Sequence, residues 1–398
     1  MNIPLLRFDG FDESWTNKRL VDITKVNQGL QIPISERFLE PGDNRYFYIT
    51  NEFLKKNSKY EYYIETPSDS VICTKEDILM TRTGNTGMVV TGVSGAFHNN
   101  FFKIKYNEKI VQKNFLELFL KHPKTQNAIS KSAGQSTIPD LNHKDFYKLE
   151  IKLPSILEQE KLGSFFMLLN QKIEKQQEKI EKMEEFKKGM MQKVFSQNLR
   201  FKDEDGRQFP EWEVKKMMEL GSFFRGTGLS KADLILEGRP CVLYGQLYTT
   251  YGSVINKVFS YCSPDIKSFI GQVNDVLIPS SGETAWDIAC ASALNIDSVA
   301  LGGDLNVFRP NKGIEGNFIS YQINSMKKHE LSKLAQGASV VHLYSNSLKK
   351  IKLSIPSYKE QKKIANYFLN IELKIEKENE KLKILERQKK GFMQLMFI

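Results

Sequence analysis

The polar and apolar positions of this chain follow one pattern that is written twice. Over residues 155–195 a seam of positions recurs at alternating spacings of four and three: Leu162, Phe166, Leu169, Ile173, Gln176, Ile180, Met183, Lys187, Met190 and Val194. This is a heptad pattern, the signature of a helix lying lengthwise against another helix. Moving 202 positions along gives Ile364, Phe368, Ile371, Ile375, Glu378, Leu382, Leu385, Lys389, Phe392 and Met396. Even the polar interruptions coincide, Gln176 with Glu378 and Lys187 with Lys389. A helix of about forty residues is roughly 60 Å long, more than a globular core needs, and the shared seam predicts that the two helices face each other.

Ahead of each helix the period changes. Residues 46–50, 70–73, 78–81 and 101–106 are short β-branched or aromatic runs bounded by Gly, Asn, Asp and Pro, which predicts strands. The second half answers with residues 242–246 opposite the 46–50 run, 275–278 matching 77–80, and 306–310 matching 100–104. Helical stretches follow at 114–121 and 317–327, then the segments Ala133-Gly134-Gln135-Ser136-Thr137 and Gln336-Gly337-Ala338-Ser339. Each half closes on Leu153-Pro154 or Ile355-Pro356, where the proline forces extended backbone before it. Ser155 with Glu158, and Ser357 with Glu360, have the spacing of a capping box at the start of each long helix. Trp15 recurs as Trp212, 197 positions on, whereas the offset is 202 along the helices, so loops differ in length between copies while the frame is kept. Residues 198–210 are polar and predict a surface linker.

Composition adds little to this frame. With 40% hydrophobic and 26% charged residues in 398, the chain has enough apolar content for two ordinary domains, and a net charge of +10 favours an anionic partner, of which nucleic acid is the commonest. Cys73, Cys241, Cys262 and Cys290 form no Cys-x-x-Cys pair, and the five histidines show no ligand spacing, so reduced structural cysteines and no metal site are expected. No basic leader with an apolar core follows Met1, and no stretch approaches eighteen uninterrupted apolar residues, so no membrane contact is expected and the cytoplasm is the expected location.

Two stretches per half are candidates for chemistry. Thr81-Arg82-Thr83-Gly84-Asn85-Thr86-Gly87 offers side chains that suit bases and phosphate, Arg to guanine and Asn to adenine above all. It lacks the pattern of a phosphate-binding P-loop or a dinucleotide fingerprint. Its counterpart Pro279-Ser280-Ser281-Gly282-Glu283-Thr284 has no arginine. A turn without a ligand is an equal reading for both. The Gly-Ser segments are the second candidates, with Lys131, Ser132, Gln135, Ser136 and Thr137 in one half and Lys333, Gln336, Ser339 and His342 in the other, although such segments also serve simply to turn the chain. The candidate nucleic-acid contacts are therefore Arg82, Thr83, Asn85, Thr86, Lys131, Gln135, Ser136, Thr137, Ser280, Ser281, Glu283, Thr284, Gln336 and Ser339. No catalytic residues are predicted: Asp69, Lys75 and Glu76 make only a loose charged grouping, and Glu178 with Lys182 and Glu184 with Lys188 have the spacing of solvated i,i+4 pairs.

Taken together, Leu153-Pro154-Ser155-Ile156-Leu157-Glu158-Gln159 with Lys188-Gly189-Met190-Met191-Gln192, their repeats Ile355-Pro356-Ser357-Tyr358-Lys359-Glu360-Gln361 and Lys390-Gly391-Phe392-Met393-Gln394, and the run from Asp77 to Gly84 resemble the specificity subunits of type I DNA restriction-modification systems. The resemblance spans essentially the whole chain; the departure is Ser280, where the first copy has Arg82. It implies an α+β fold of two pseudo-repeated mixed target-recognition domains separated by two long helices in an antiparallel coiled coil. The expected domains are 1–154 for the first recognition domain, 155–198 for the central helix, 199–356 for the linker and second recognition domain, and 357–398 for the C-terminal helix. It implies a non-catalytic subunit that reads a bipartite, asymmetric site in double-stranded DNA and binds two methyltransferase subunits and two restriction and translocation subunits. No cofactor is expected on this chain; S-adenosylmethionine, ATP and magnesium would belong to the partners. A self-contained DNA methyltransferase or nuclease, and a coiled-coil adaptor for protein partners, are the alternative readings.

Overall fold

The computed structural model describes residues 3–55, 58, 60–134 and 139–398. The chain separates into two compact units, Met1–Gln176 with Lys381–Ile398, and Gln177–Glu380. Each unit thus holds one mixed α/β domain, part of the first long helix (Ile156–Phe195) and part of the second (Tyr358–Met396).

In the first unit an antiparallel sheet runs in the order Thr24–Gln28, Phe101–Tyr106, Ile78–Thr81, Val89–Val90. The strand Ile78–Thr81 is buried on both faces, so its alternating side chains feed two cores. Ile78 and Met80 join Phe102, Ile104 and Phe115 against Leu162 and Phe166 of the first long helix and Met396 and Phe397 at the end of the chain. Leu79 instead joins Ile49, Phe97 and Phe101. A second sheet, Tyr63–Glu65, Arg45–Ile49, Gly95–Phe97, Ile72–Cys73, lies over that smaller core and contains one parallel pair, Ile49 opposite Phe97.

The second unit repeats this plan with five strands in each sheet. Gly221–Arg225, Leu305–Pro310, Val276–Pro279, Ser292–Leu294 and Val254–Ile255 form the first, and Leu234–Ile235, Ser260–Cys262, Arg239–Val242, Val299–Leu301 and Phe269–Gly271 form the second. Strand register corrects two of the matches drawn from sequence. Ile78 pairs with Ile104 as Val276 pairs with Phe308, so Asn100 corresponds to Asp304, not to Asn306. Val242 pairs with Leu301 as Ile49 pairs with Phe97, so Val242 answers Ile49 and ends its strand. The chain turns there because the Gln246 side chain accepts from Leu243 N–H at 2.9 Å and a helical turn, Gln246–Thr249, begins. The expected strand at 70–73 is reduced to Ile72–Cys73 by a preceding 3-10 turn.

The helix after the central strands also differs between units. In the first, Lys113–Lys121 stops and Pro123–Ser132 starts anew, with His122 as its cap and Pro123 in the first turn. In the second, Gly316–Gln322 continues through a π-helical stretch, Ile323–Lys327, into Lys328–Leu334. The π stretch coincides with Asn324, whose side chain bonds Ala291 N–H, Ala291 carbonyl and Ser253 hydroxyl at 2.8–2.9 Å, tying the helix to the adjacent strand.

Where each domain meets its helix, the same joint is built twice. Glu158 is buried and takes a two-pronged bond from Arg7, Nε at 2.8 Å and Nη2 at 2.7 Å. Glu360 is buried and takes the same bond from Arg200, both at 3.0 Å, plus one from Trp212 Nε1 at 3.2 Å. These bonds raise both arginine pKa values above their ordinary level. The next residue completes the joint: the Gln159 amide donates to the Pro154 carbonyl at 3.0 Å and accepts from Gln112 N–H at 2.9 Å, and Gln361 bonds Pro356 and Glu315 N–H likewise, both at 2.9 Å. Only half of the expected capping box forms. Ser155 and Ser357 accept from the glutamate N–H at 3.4 Å, but both carboxylates are taken by arginine. The linker read as plain surface is therefore anchored at Arg200.

Beyond the joint, every seam position of both helices is buried or half-buried. In the second unit Lys179 pairs with Glu378 at 3.0 Å, Lys187 with Glu372 at 3.4 Å, and Phe195 stacks on Phe368, so the helices run antiparallel. In the first unit Phe165 meets Phe392 and Phe166 meets Phe397. Among the described residues neither Glu178–Lys182 nor Glu184–Lys188 forms the expected i,i+4 pair; Glu184 instead lies 3.5 Å from Lys187, one turn along the same helix.

Two outcomes follow. Glu360→Ala removes the buried acceptor of Arg200 and of Trp212 Nε1, leaving Arg200 only the exposed carboxylate of Glu211 at 3.7 Å, and lowers stability by about 3 kcal/mol, measured by urea unfolding; a loss below about 0.5 kcal/mol, the level of an exposed pair, contradicts the joint's importance. His122 is buried, with Nδ1 accepting from Lys124 N–H at 3.2 Å and Nε2 facing the Met393 carbonyl at 3.3 Å, an arrangement that fits the neutral ring. Burial lowers its pKa, as it does for His98 and His143. The unfolded chain therefore takes up protons first as pH falls below about 6.5, and stability drops with acidification until the folded-state pKa values are passed. His122→Asn flattens this dependence on the acid side of about pH 6.5; an unchanged slope in unfolding measurements contradicts it.

Candidate nucleic-acid interface

The post-strand loop of the first unit is shaped by its own hydrogen bonds. After Ile78–Thr81, the Thr81 hydroxyl bonds the Asn85 carbonyl and accepts from Met88 N–H at 2.9 Å, while Gly87 N–H donates to the Thr81 carbonyl at 2.8 Å. Gly84 has φ +81°, and a Cβ there would lie 2.5 Å from the Asn51 amide nitrogen, which itself donates to the Thr83 carbonyl. Glycine is thus needed on both conformational and steric grounds. Thr86 is turned inward, its single hydroxyl hydrogen lying between the Pro139 carbonyl at 2.8 Å and the Arg82 carbonyl at 3.1 Å. The Thr83 hydroxyl is buried with no partner. Asn85 is exposed, and an open hollow of about 540 Å³ beside it is lined by Asn85, Thr86, Gly87, Met88, Lys121 and Gln126 among others.

Residues that follow the Gly-Ser segment come to this loop. Leu141 N–H donates to the Arg82 carbonyl at 2.9 Å and Thr83 pairs with Asp140. Arg82 bonds Asp140 through Nε at 2.9 Å and Nη2 at 2.6 Å. Lys131 is exposed near the end of Pro123–Ser132; Gln135, Ser136 and Thr137 lie outside the described residues.

The second unit brings the corresponding segments together in the same way. Ser280 N–H donates to the Asp304 carbonyl at 2.8 Å, as Arg82 N–H does to Asn100 at 2.7 Å, and Leu343 N–H donates to the Ser280 carbonyl at 2.9 Å. Ser281–Gly282 pairs with Val341–His342, placing Ser281 opposite His342. Ser281 is buried, and the Ser280 hydroxyl is buried without a partner, so both face inward. Glu283 and Thr284 are exposed, Thr284 capping the short helix Ala285–Ile288. Gln336 and Ser339 are exposed, with Gln336 held by backbone bonds to His342 at 2.7 and 2.9 Å.

Sequence reading passed over three features of these surfaces. Asp140 had no local signal, because its meaning lies in a partner 58 residues away. Trp286 is 54% exposed with Lys328 Nζ 4.7 Å from its ring, and Tyr344 is 53% exposed and stacked on His342. Aromatic residues in otherwise polar loops were the available sign. The Asp69, Lys75 and Glu76 grouping dissolves: Glu76 pairs with Lys113 at 2.7 Å on the surface. Among the described residues no cluster of three or more His, Cys, Asp or Glu could hold a metal ion, and no helix is long and apolar enough to cross a membrane. Burial pushes the Cys73 thiol up to about 11 and those of Cys241 and Cys290 to about 12, so they stay protonated at neutral pH.

The type I restriction modification DNA specificity domain matches twice, over residues 12–185 and 210–387. The type I restriction enzyme MjaVIII specificity subunit of Methanocaldococcus jannaschii is 25% identical over 96% of this chain and 92% of its own length. The putative type I restriction enzyme MjaX specificity subunit of the same organism is 26% identical over 75% of this chain and 70% of its own. In fold, the chain resembles the crystal structure of a type I restriction-modification system S subunit from M. genitalium, with a TM-score of 0.67 at 17% identity, covering 100% of this chain and 99% of that one.

Replacing Gly84 by Ala forces a side chain into left-handed backbone against Asn51 and costs about 1–3 kcal/mol; thermal unfolding with no shift contradicts the loop geometry.

Proposed function

Because the chain belongs to the type I restriction-modification DNA specificity family, we propose that each of its two units reads one half of a bipartite, asymmetric site in double-stranded DNA, at the loop pair that closes its central strands. A specificity subunit is the DNA-recognition component of such a system, not its catalyst, and its partners are DNA and the methyltransferase and restriction subunits. The observation that carries the reading is one frame with two sets of side chains. Arg82 and Ser280 occupy the same backbone position, each accepting at its carbonyl from a leucine four positions beyond the Gly-Ser segment, Leu141 or Leu343. A fixed frame with exchanged loop residues is how one scaffold reads different sequences.

In this reading the recognition domains are residues 1–154 and 199–356, and residues 155–198 and 357–398 are the helices that set the spacing. Arg82, Asn85 and Lys131, with Gln135, Ser136 and Thr137, face the first half-site; Glu283, Thr284, Gln336 and Ser339 face the second. Thr83, Thr86, Ser280 and Ser281 shape the loops from inside. The outward faces of the helices receive two methyltransferase subunits, which bring S-adenosylmethionine, and support two restriction subunits, which use ATP and magnesium, in the cytoplasm. The pairing of Leu162, Phe166, Leu169 and Ile173 with Leu382, Leu385 and Phe392, and of Ile180, Met183 and Met190 with Ile364, Phe368, Ile371 and Ile375, makes the helices a ruler.

The test is to co-express the chain with its methyltransferase subunit and sequence the methylome. An adenine-methylated motif in two parts with an unread spacer is expected; a contiguous motif or none contradicts the reading. One heptad inserted after Ile180, matched by one in the second long helix, changes the spacer and leaves both half-sites as they were. An unchanged spacer contradicts the ruler.

A further inference from the structure

The ion pair of Arg82 orients its guanidinium without occupying it. Nε and Nη2 are taken by the two oxygens of Asp140 at 2.9 and 2.6 Å. Nη1 has no acceptor among the described residues and is not buried, in contrast to Nη1 of Arg7, which is buried without a partner. The outer edge of the fork is therefore open, on a side chain that is 20% exposed beside a carboxylate that is 43% exposed. The Phe102 ring lies 5.9 Å from the guanidinium carbon and limits its movement.

Holding the two segments together does not require this pair. The Leu141 to Arg82 backbone bond, the Thr83 and Asp140 pairing and the Thr86 bond to Pro139 already do so. The second unit makes the same joint with Ser280 in place of Arg82 and His342 in place of Asp140, and no ion pair between them. What the clasp adds is a planar pair of N–H donors in a fixed direction, one on Nη1 and the other the second hydrogen of Nη2, which Asp140 does not use. That is the complement of guanine O6 and N7 in the major groove, and fixing the long side chain in advance lowers the entropy lost when it binds.

We propose that Arg82 reads a guanine in the first unit's half-site and that Asp140 is its positioning residue; this rests on the DNA-recognition reading above. The second unit, lacking both groups, reads its half-site without this device. A backbone phosphate could be gripped by the same donors, and the test separates the two.

The full-length chain, assembled with its methyltransferase subunit, is used to map methylated sites for wild type, Arg82→Ala, Arg82→Lys, Asp140→Asn and the Arg82→Ala/Asp140→Asn pair. Arg82→Ala and Arg82→Lys relax one G·C position in one half-site by roughly 5- to 150-fold. Asp140→Asn relaxes that same position to a smaller degree, and the pair behaves as Arg82→Ala alone. The other half-site, unchanged in the same complexes, shows that they are folded. Uniform weakening across all sequences with a shallower salt dependence makes Arg82 a phosphate contact and overturns the proposal. An unaltered site in Arg82→Ala overturns it too, and relaxation in Arg82→Ala with none in Asp140→Asn removes Asp140 from it. Absence of any sequence-specific methylation by the wild-type complex refutes instead the reading on which it rests.

Discussion

A buried carboxylate held by one arginine fixes this molecule's construction. Glu158 and Glu360 enter the interior at the first turn of each long helix, where an unpaired charge would be prohibitive. Only the arrangement that brings Arg7 or Arg200 to meet them is tolerated. The following glutamine bonds the carbonyl of the proline that ends the domain and a backbone N–H ahead of the domain's own helix. Direction and rotational phase of each long helix are thereby set by its domain. Phase matters because it decides which stripe of the helix becomes the seam.

The duplication keeps what this joint needs and varies what it does not. Phe8 packs on Phe165 as Phe201 packs on Tyr367, and Trp15 meets Phe115 as Trp212 meets Phe318. The seam is not identical in the two units: Lys187 reaches Glu372, whose carboxyl pKa is raised by burial and which also accepts from Tyr321 at 2.7 Å, whereas the first unit has Asn170 and Leu118 at the matching places. Loops diverge most, in length and in chemistry, and they diverge on a backbone junction common to both units.

Much of this was legible from residue order alone. The strands at 78–81 and 101–106 and the two long helices follow from periodicity, and the repeat follows from matching tryptophans, prolines and seams. What escaped depended on distant partners. The Ser-x-x-Glu spacing was visible, but not that the carboxylate would turn to Arg7; the repeated Leu6-Arg7-Phe8 and Leu199-Arg200-Phe201 carried that information unread. Register was misjudged by two or three residues where loops change length, as at Asn306 and Val242. In the candidate loops, composition pointed to hydroxyls, whereas the fold turns Thr86 and Ser281 inward, and the partner of Arg82 could not be seen without the fold.

Domain exchange addresses the modular construction most directly. Residues 1–154 are replaced by the corresponding segment of another family member, and the methylome written by the reconstituted complex is sequenced. One half of the methylated motif changes while the other half and the spacer stay the same. A change in both halves would show that the units do not read DNA independently and would contradict the construction described above.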